Sequence, residues 1–437
     1  MNTMVGEKNK MPGLLALSPI MVFLLVYLVS SLIAGDFYKV PVSSAFLIAS
    51  VYAIALTPGK IGNRISVFSE SAGHWNIMLM VWIFMLAGAF AGSAKEIGSI
   101  DATVNFTMSI IPARFLLAGL FLTACFVSMA IGTSVGTIVA LVPIADGIAQ
   151  QTGLSQALMA ALIVGGSFFG DNLSFISDTT IAATRAVGCA MRDKFRANFI
   201  IVLPAVLIIT GIYLFKGMSL DVESDTHPIE WLKLLPYISV IILALLGMDV
   251  MLVLVLGLLL NAVVGFVTGS LDWIGWLSSM GQGIAGMGDL IIVTLLAGGM
   301  LGIIKHNGGL EYLMRAVVRR AHGKRGAELS ISLLTALANL CTANNTIAII
   351  TVGGIANDIA EKFSIPKRRA ASLMDISGCF VQGLIPYGAQ LLMAAGLTGL
   401  AATEIIPYLY YPFAVGISIL LSILIGQRGK GNEFQVE

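Results

Sequence analysis

Long apolar runs, interrupted by short polar segments, extend over almost the whole chain of 437 residues. In the first half these runs lie near residues 12–34, 39–57, 75–94, 113–150, 154–190 and 195–216. In the second half they lie near residues 233–247, 249–269, 287–304, 326–360, 366–398 and 404–426. Many approach or exceed the ~18 to 20 residues that a helix needs to cross a bilayer, and they alternate too little for membrane β-strands. The pattern predicts an all-α polytopic membrane protein.

The composition agrees with a membrane location and argues against several kinds of binding site. Hydrophobic residues make up 57% of the chain and charged residues 11%, whereas a soluble domain carries about 25% charged residues. The cysteines and histidines are scattered, and the sequence contains no GxxxxGK[ST] phosphate-binding loop. We therefore expect no cofactor and no nucleic-acid partner, and any transport by such a chain should be driven by ion gradients alone.

The six runs of each half indicate an internal duplication. LAGAFAGSAK (86–95) aligns with LAGGMLGIIK (296–305), and GTSVGTIVAL (132–141) aligns with CTANNTIAII (341–350). Identity between the segments is low, but their order is the same and their offset stays near 210 residues. The sequence therefore predicts two structural repeats.

Two apolar runs of each half do not match a single, continuous transmembrane helix. The runs 113–150 and 326–360 are too long for one crossing and have polar centres, IGTSVGT and CTANNT, which predict re-entrant hairpins with tips at mid-membrane. The runs 154–190 and 366–398 are interrupted at GDNLSFISD and GLIPYGAQ, which predicts a broken helix in each. Five crossings and one hairpin per half make an odd number, so the two repeats are predicted to be inverted.

The distribution of basic residues supports this topology. The predicted repeats occupy residues 1–218 and 233–437, and an acidic linker at 219–232 joins them on the outer side. In this arrangement 20 of the 25 Lys and Arg residues fall on the side of the two termini. Because basic residues favour the cytoplasmic side, both termini are predicted to be cytoplasmic, in a bacterial inner membrane.

Polar side chains gather at the predicted tips and breaks. The first break contributes Asp171, Asn172, Ser174, Ser177, Asp178, Thr179 and Thr180. The two hairpin tips contribute Thr133, Ser134, Thr137, Thr342, Asn344, Asn345 and Thr346. Secondary candidates are Asp375, Gln382, Tyr387, Gln390 and Arg185. Because inverted repeats with broken helices bind their substrates near the midplane, we expect these residues to surround one site.

Two aspartates in one apolar region suit a small hard cation. Carboxylate, hydroxyl, amide and free backbone oxygens bind Na⁺, and helix C-termini add partial negative charge. An aspartate at mid-bilayer costs about 2.5–3.5 kcal/mol, and binding a proton or a cation lowers that cost. A carboxylate that holds either ion predicts antiport, with Na⁺ at Asp171 and Asp178. The alternative for either aspartate is a cap on the helix that follows the break.

The segment from Gly170 to Thr180 resembles the signature of NhaC-type Na⁺/H⁺ antiporters, G-D-x-x-S-x-x-S-D-T-T. The chain departs from the family pattern at Asn172 and Phe175, which leaves the substrate open. The resemblance implies a secondary active antiporter that exchanges Na⁺ for H⁺ by alternating access. It also implies a homodimer and an elevator-like movement of the hairpins and broken helices against a scaffold.

Other functions stay open at this point. Relatives of such antiporters include exchangers of organic acids or amino acids, and Asn344, Asn345 and Arg185 could bind the carboxylate of such a solute. Gly286-Met-Gly-Asp289 matches the GxGD string of intramembrane aspartyl proteases, a four-residue match in a chain with 47 glycines. A channel is a further alternative, although broken helices in inverted repeats favour alternating access.

Overall fold

The computed structural model describes residues 13–34, 40–175, 177–218, 220, 229–318 and 322–425, and within them it contains helices and no β-strand. The helices of the first half are α1 (Gly13–Ala16), α2 (Ser18–Ala34), α3 (Val42–Leu56), α4 (Ile61–Ala72), α5 (Trp75–Glu96), α6 (Ser99–Ile110), α7 (Leu116–Ile131), α8 (Ser134–Thr152), α9 (Gln156–Leu173), α10 (Asp178–Val187) and α11 (Met191–Met218). Those of the second half are α12 (Trp231–Leu245), α13 (Val250–Thr268), α14 (Trp273–Gly286), α15 (Gly288–His306), α16 (Gly309–Val318), α17 (Gly323–Thr342), α18 (Asn345–Lys362), α19 (Lys367–Gln382), α20 (Ala389–Thr398), α21 (Ala402–Ile405) and α22 (Tyr410–Ile425). Most of the predicted linker lies outside the described residues, and the division into two repeats stays a prediction.

Local signals in the sequence set the ends of several helices. Ser155 caps α9 by accepting the Leu158 N–H over 3.3 Å, and Asp249 caps α13 by accepting the Met251 N–H over 2.9 Å. At the C-terminal end of α13, Gly269 adopts a left-handed conformation with φ +70°, which a residue without a Cβ tolerates without strain.

The lengths of the helices fit a bilayer. By length and apolar composition six of the described helical segments can cross a membrane: Trp75–Glu96, Ala113–Ile131, Gln156–Val187, Met191–Met218, Val250–Thr268 and Gly288–His306. Four further apolar helices are shorter: Ser18–Ile33, Val42–Leu56, Trp231–Leu245 and Tyr410–Ile425. Large apolar side chains on them are exposed, such as Leu25 and Leu424, which suits a surface against lipid. The prediction of an all-α polytopic membrane protein is confirmed for the described residues.

The helices form two groups, and the members of each group pack on one another. The first contains the helices around the predicted tips and breaks, where α9 packs on α7 and α8, and α17 packs on α18 and α19. The second pairs α5 with α14 and α15 with α3 and α4. Sequence analysis missed α4 and α14, because both are short and less apolar than their neighbours.

The two helix pairs predicted to form hairpins, α7 with α8 and α17 with α18, share one construction. In the first, Gly132 ends α7 with φ +77°, and in the second, Ala343 ends α17 with φ +50°. Ser128 then donates to the Ser167 carbonyl over 2.5 Å, and Asn339 donates to the Gly378 carbonyl over 2.8 Å, both across 39 residues. These positions give an offset of 211 residues at the tips. The predicted alignment of Gly132 with residue 341 was therefore wrong by two residues, since low identity hid the position of the left-handed turn.

Candidate functional site

The first break lies between α9 and α10. Helix α9 ends at Leu173, and α10 begins at Asp178 because Ser177 caps it: the Thr180 N–H donates to Ser177 Oγ over 3.3 Å. Such a break leaves the last carbonyl oxygens of α9 without partners inside the helix. These oxygens need donors from elsewhere, because they lie in the protein interior.

Hydroxyl groups from the segment after the break supply some of those donors. Ser177 Oγ and Thr179 Oγ1 donate to the Asp171 carbonyl over 3.1 and 3.2 Å, and Thr180 Oγ1 donates to the Ser174 carbonyl over 2.8 Å. All five residues are buried. In this state the three hydroxyls predicted as cation ligands are hydrogen-bonded to the backbone of the break.

The Asp171 carboxylate faces the first hairpin tip. Its Oδ1 accepts the backbone N–H of Ser134 over 3.2 Å, at the N-terminus of α8, and the residue is 6% exposed. The structure therefore brings the break and the tip of the first half together. The neighbouring Asn172 is fully buried, and its Nδ2 donates to the Tyr411 hydroxyl on α22 over 3.0 Å.

Asp178 does not share this environment. The expectation that it is buried was wrong: its side chain is exposed, whereas Thr179 and Thr180 of the same helical turn are buried. It lines a cavity of about 410 Å³ between α10 and α18, together with Arg185 and Thr346. Arg185 is exposed as well.

The second hairpin tip is held by its own polar side chains. Asn344 caps α18 by accepting the Ile347 N–H over 3.0 Å, and Thr342 Oγ1 donates to the Asn344 carbonyl over 3.1 Å. Asn345 is buried and donates to Cys379 Sγ over 3.1 Å, while its Oδ1 has no hydrogen-bond partner among the described residues. The tip thus contains a buried amide oxygen that packs closely against Gly378.

A chain of hydrogen bonds connects the two halves at this level. Gln382 Nε2 donates to the Ala343 carbonyl over 3.1 Å and to Gln390 Oε1 over 3.0 Å. Gln390 Nε2 then donates to Ser134 Oγ over 2.9 Å. Because Ser134 also bonds Asp171, the chain runs from the second tip to the carboxylate at the first break.

The remaining predicted residues bond to nearby backbone. Thr137 Oγ1 donates to the Thr133 carbonyl over 3.1 Å, within the first turn of α8. The Tyr387 hydroxyl donates to the Leu340 carbonyl over 2.9 Å. These contacts fix the two hairpins, and Thr133 is the half-buried residue just before α8.

A buried ion pair lies on the other side of the first break. Lys194 Nζ lies 2.9 Å from Asp375 Oδ2, and the two side chains are 1% and 0% exposed. Lys194 also donates to the Asn172 carbonyl and Thr180 Oγ1, and Asn198 Nδ2 donates to Asp375 over 2.7 Å. Lys194 is one of the 20 basic residues that the predicted topology places on the side of the two termini. Its spacing of four residues from Asn198, on an apolar helix, is the signal that could have found it.

A separate cavity of about 410 Å³ reaches the second hairpin tip. Its lining includes His74, Lys305, Thr342 and Asn344. Thr294 also lines it, and within the described part of the chain the buried Thr294 hydroxyl has no hydrogen-bond partner. The cavity thus combines a positive charge with the N-terminus of α18.

Comparisons with known proteins find an antiporter family, related antiporters and a transporter structure. The sequence model described as the Na⁺/H⁺ antiporter family matches residues 12–218 and 231–430. The malate-2H⁺/Na⁺-lactate antiporter of Bacillus subtilis is 25% identical, over 94% of this chain and 94% of that protein. The Na⁺/H⁺ antiporter NhaC of Alkalihalophilus pseudofirmus is 25% identical, over 80% of this chain and 82% of that protein. The crystal structure of the Alcanivorax borkumensis YdaH transporter covers 95% of this chain and 99% of its own, with 14% identity and a TM-score of 0.41.

Proposed function

The chain belongs to the Na⁺/H⁺ antiporter family and is a secondary transporter rather than an enzyme, and we propose that it exchanges Na⁺ for H⁺ by alternating access. In this proposal the Asp171 carboxylate binds either ion. The protease alternative is set aside, since the family consists of transporters and the Asp289 side chain is exposed at the start of α15.

One observation carries the proposal: Asp171 is a buried carboxylate that has no ion-pair partner among the described residues. The Ser134 N–H and the positive end of α8 compensate part of its charge. A carboxylate in such a place is still costly unless a cation or a proton neutralises it. Asp171 thus has a physical reason to bind Na⁺ and H⁺ alternately.

The same reasoning explains coupling. A bundle that carries an empty, charged Asp171 would move an uncompensated charge through an apolar region, whereas a bundle with Na⁺ or H⁺ would not. The movement is therefore favoured only in the two occupied states. Exchange follows because one ion must leave before the other can bind.

We also propose the predicted inverted repeats, with cytoplasmic termini, a homodimer and an elevator-like movement of the group of helices around the tips and breaks. The packing supports a duplication, because α4 of the first half packs on α15 while α14 of the second half packs on α5. The identical construction of the two hairpins, at Gly132 and Ala343, supports it as well.

Purified protein in liposomes with an internal pH reporter tests the exchange. A Na⁺ gradient is expected to drive proton movement in the wild type and to drive none above background in Asp171→Asn. Asp178→Asn is the matched control, because the same substitution there changes an exposed carboxylate, and it should keep exchange. Full exchange by Asp171→Asn would contradict the proposal.

A second candidate function is the exchange of a small organic acid. The cavity at the second hairpin tip favours it, because Lys305 and the N-terminus of α18 would attract a carboxylate. A relative carries malate and lactate in its name. Labelled malate and lactate should then accumulate in the same liposomes, and Lys305→Ala should abolish this uptake. Uptake unchanged in Lys305→Ala would contradict the candidate, as would the lack of any uptake.

A further inference from the structure

The Lys194 ammonium group lies in a cage of oxygen atoms at the first break. Its Nζ lies 3.0 Å from the Asn172 carbonyl oxygen, 2.6 Å from Thr180 Oγ1 and 2.9 Å from Asp375 Oδ2. An ammonium group has three N–H donors, so each donor meets one oxygen. The cage is closed to solvent, because Lys194 and Asp375 are almost fully buried.

These three oxygens are also a ligand set for a hard metal cation. A free carbonyl at the end of a broken helix, a hydroxyl and a carboxylate are the groups that bind Na⁺ in transporters. Asn198 orients two of them, since its Nδ2 donates to the Asn172 carbonyl over 2.8 Å and to Asp375 Oδ2 over 2.7 Å.

We propose that this cage is a second cation site and that Lys194 is a tethered cation which occupies it permanently. Removal of the ammonium group would then let Na⁺ bind to the Asn172 carbonyl, Thr180 and Asp375. In the wild type Lys194 keeps Asp375 neutralised, which leaves Asp171 as the buried carboxylate that can exchange its ion. This last step rests on the proposed function, whereas the cation site itself does not.

A purely structural ion pair is the competing explanation. A buried pair that only stabilises the fold can be replaced by apolar side chains, and it gains nothing from Na⁺ once the lysine is gone. If Lys194 is a tethered cation, Na⁺ should instead stabilise the protein that lacks the lysine. Binding of Na⁺ to a lysine-free variant therefore separates the two explanations.

The test uses the full-length protein in detergent and an Asp171→Asn background, so that Asp171 contributes no Na⁺ binding. Thermal unfolding is measured in NaCl and in choline chloride of equal ionic strength. Asp171→Asn alone should unfold at the same temperature in both salts. Asp171→Asn with Lys194→Ala should unfold at a lower temperature in choline chloride and gain about 2 °C or more in saturating Na⁺.

Two further variants locate the effect. Lys194→Met in the same background also removes the ammonium group, so it should gain stability in Na⁺ as Lys194→Ala does. Asp375→Asn added to the Lys194→Ala protein should abolish the gain.

Equal unfolding temperatures of the Lys194→Ala protein in both salts would overturn the proposal, as would a gain that persists after Asp375→Asn. A Lys194→Ala chain that stays unfolded in Na⁺ would overturn it too, because the ion is proposed to replace the ammonium group. Exchange by Asp171→Asn would overturn only the proposed function, since the test measures cation binding and not transport.

Discussion

The Gln390 side chain donates a hydrogen bond to Ser134 Oγ over 2.9 Å, which joins the second broken helix to the tip of the first hairpin. The backbone N–H of Ser134 bonds the Asp171 carboxylate, and Gln390 Oε1 accepts from Gln382. One amide side chain therefore connects the carboxylate of one half to the break of the other. Its position makes the geometry around Asp171 depend on both halves.

Gln390→Leu tests this connection. The substitution keeps a similar volume but leaves the Ser134 hydroxyl and the Gln382 amide with fewer partners, at a cost of about 1–3 kcal/mol for a buried polar group. We expect the Na⁺ concentration for half-maximal exchange to rise by about tenfold, measured in liposomes. Gln282→Leu is the matched control, because Gln282 is exposed on α14 and bonds only Ser278 among the described residues. Equal Na⁺ dependence in both variants would contradict the role of Gln390.

Asp178→Asn tests whether an exposed carboxylate attracts the ion. Asp178 and Arg185 line the same cavity, so removal of the carboxylate leaves a positive charge alone there. We expect the half-saturating Na⁺ concentration to rise about threefold at low salt and the difference to vanish at ~1 M choline chloride, where charges are screened beyond ~3 Å.

Asp358→Asn provides the control for this effect, since it removes another exposed carboxylate, on α18, that does not line the cavity. It should leave the Na⁺ dependence unchanged at both salt concentrations. Complete loss of exchange in Asp178→Asn at both salt concentrations would instead assign Asp178 to the ion-binding site, as its sequence signature suggested.

Much of the fold follows from the sequence because apolar length and polar interruptions have direct structural consequences. The break near Asp171 and the turn at Gly132 were predicted from polar residues inside long apolar runs. The alignment of the two tips failed by two residues because a left-handed turn can be made by glycine in one half and by Ala343 in the other. Identity between such positions is low, so only the backbone reveals their equivalence.

The site was harder to predict, because the sequence identifies polar residues but does not show which of them are hydrogen-bonded to the backbone. Ser177 and Thr180 had the right chemistry for cation ligands, but a broken helix needs donors for its own carbonyl oxygens and uses them. Lys194 was missed for a related reason. It stands three residues into a long helix beside other charged residues, where a solvated position is the common one.

Helices α5 and α14 pack closely on each other. A Cβ atom on Gly283 would collide with the backbone carbonyl of Gly88, so the two helices touch along their backbones. Gly283→Val should therefore lower the yield of folded, monodisperse protein in size-exclusion chromatography by about tenfold or more. Gly281→Val makes the same change on the same helix where no atom lies within 4 Å, and it should purify normally. Similar yields for both would contradict the close contact.

The buried ion pair of Arg369 and Glu328 connects α17 to α19. Arg369 Nε and Nη2 donate to Glu328 Oε2 over 3.2 and 2.8 Å, and Nη2 also donates to Ser422 Oγ on α22 over 3.0 Å. Glu328→Gln would leave a buried guanidinium group without a counter-charge, so the free energy of unfolding should fall by about 3–5 kcal/mol. Denaturant titration of the protein in detergent measures this change.

The double variant Glu328→Gln with Arg369→Met separates the charge from the packing. It removes the unpaired guanidinium group, so we expect it to recover most of the stability that Glu328→Gln alone loses. If the double variant is as unstable as the single one, the loss comes from packing between α17, α19 and α22 and not from an uncompensated charge. Recovery would show that the Glu328 carboxylate serves chiefly to neutralise Arg369. Lys194 neutralises Asp375 in the same way, with the charges reversed.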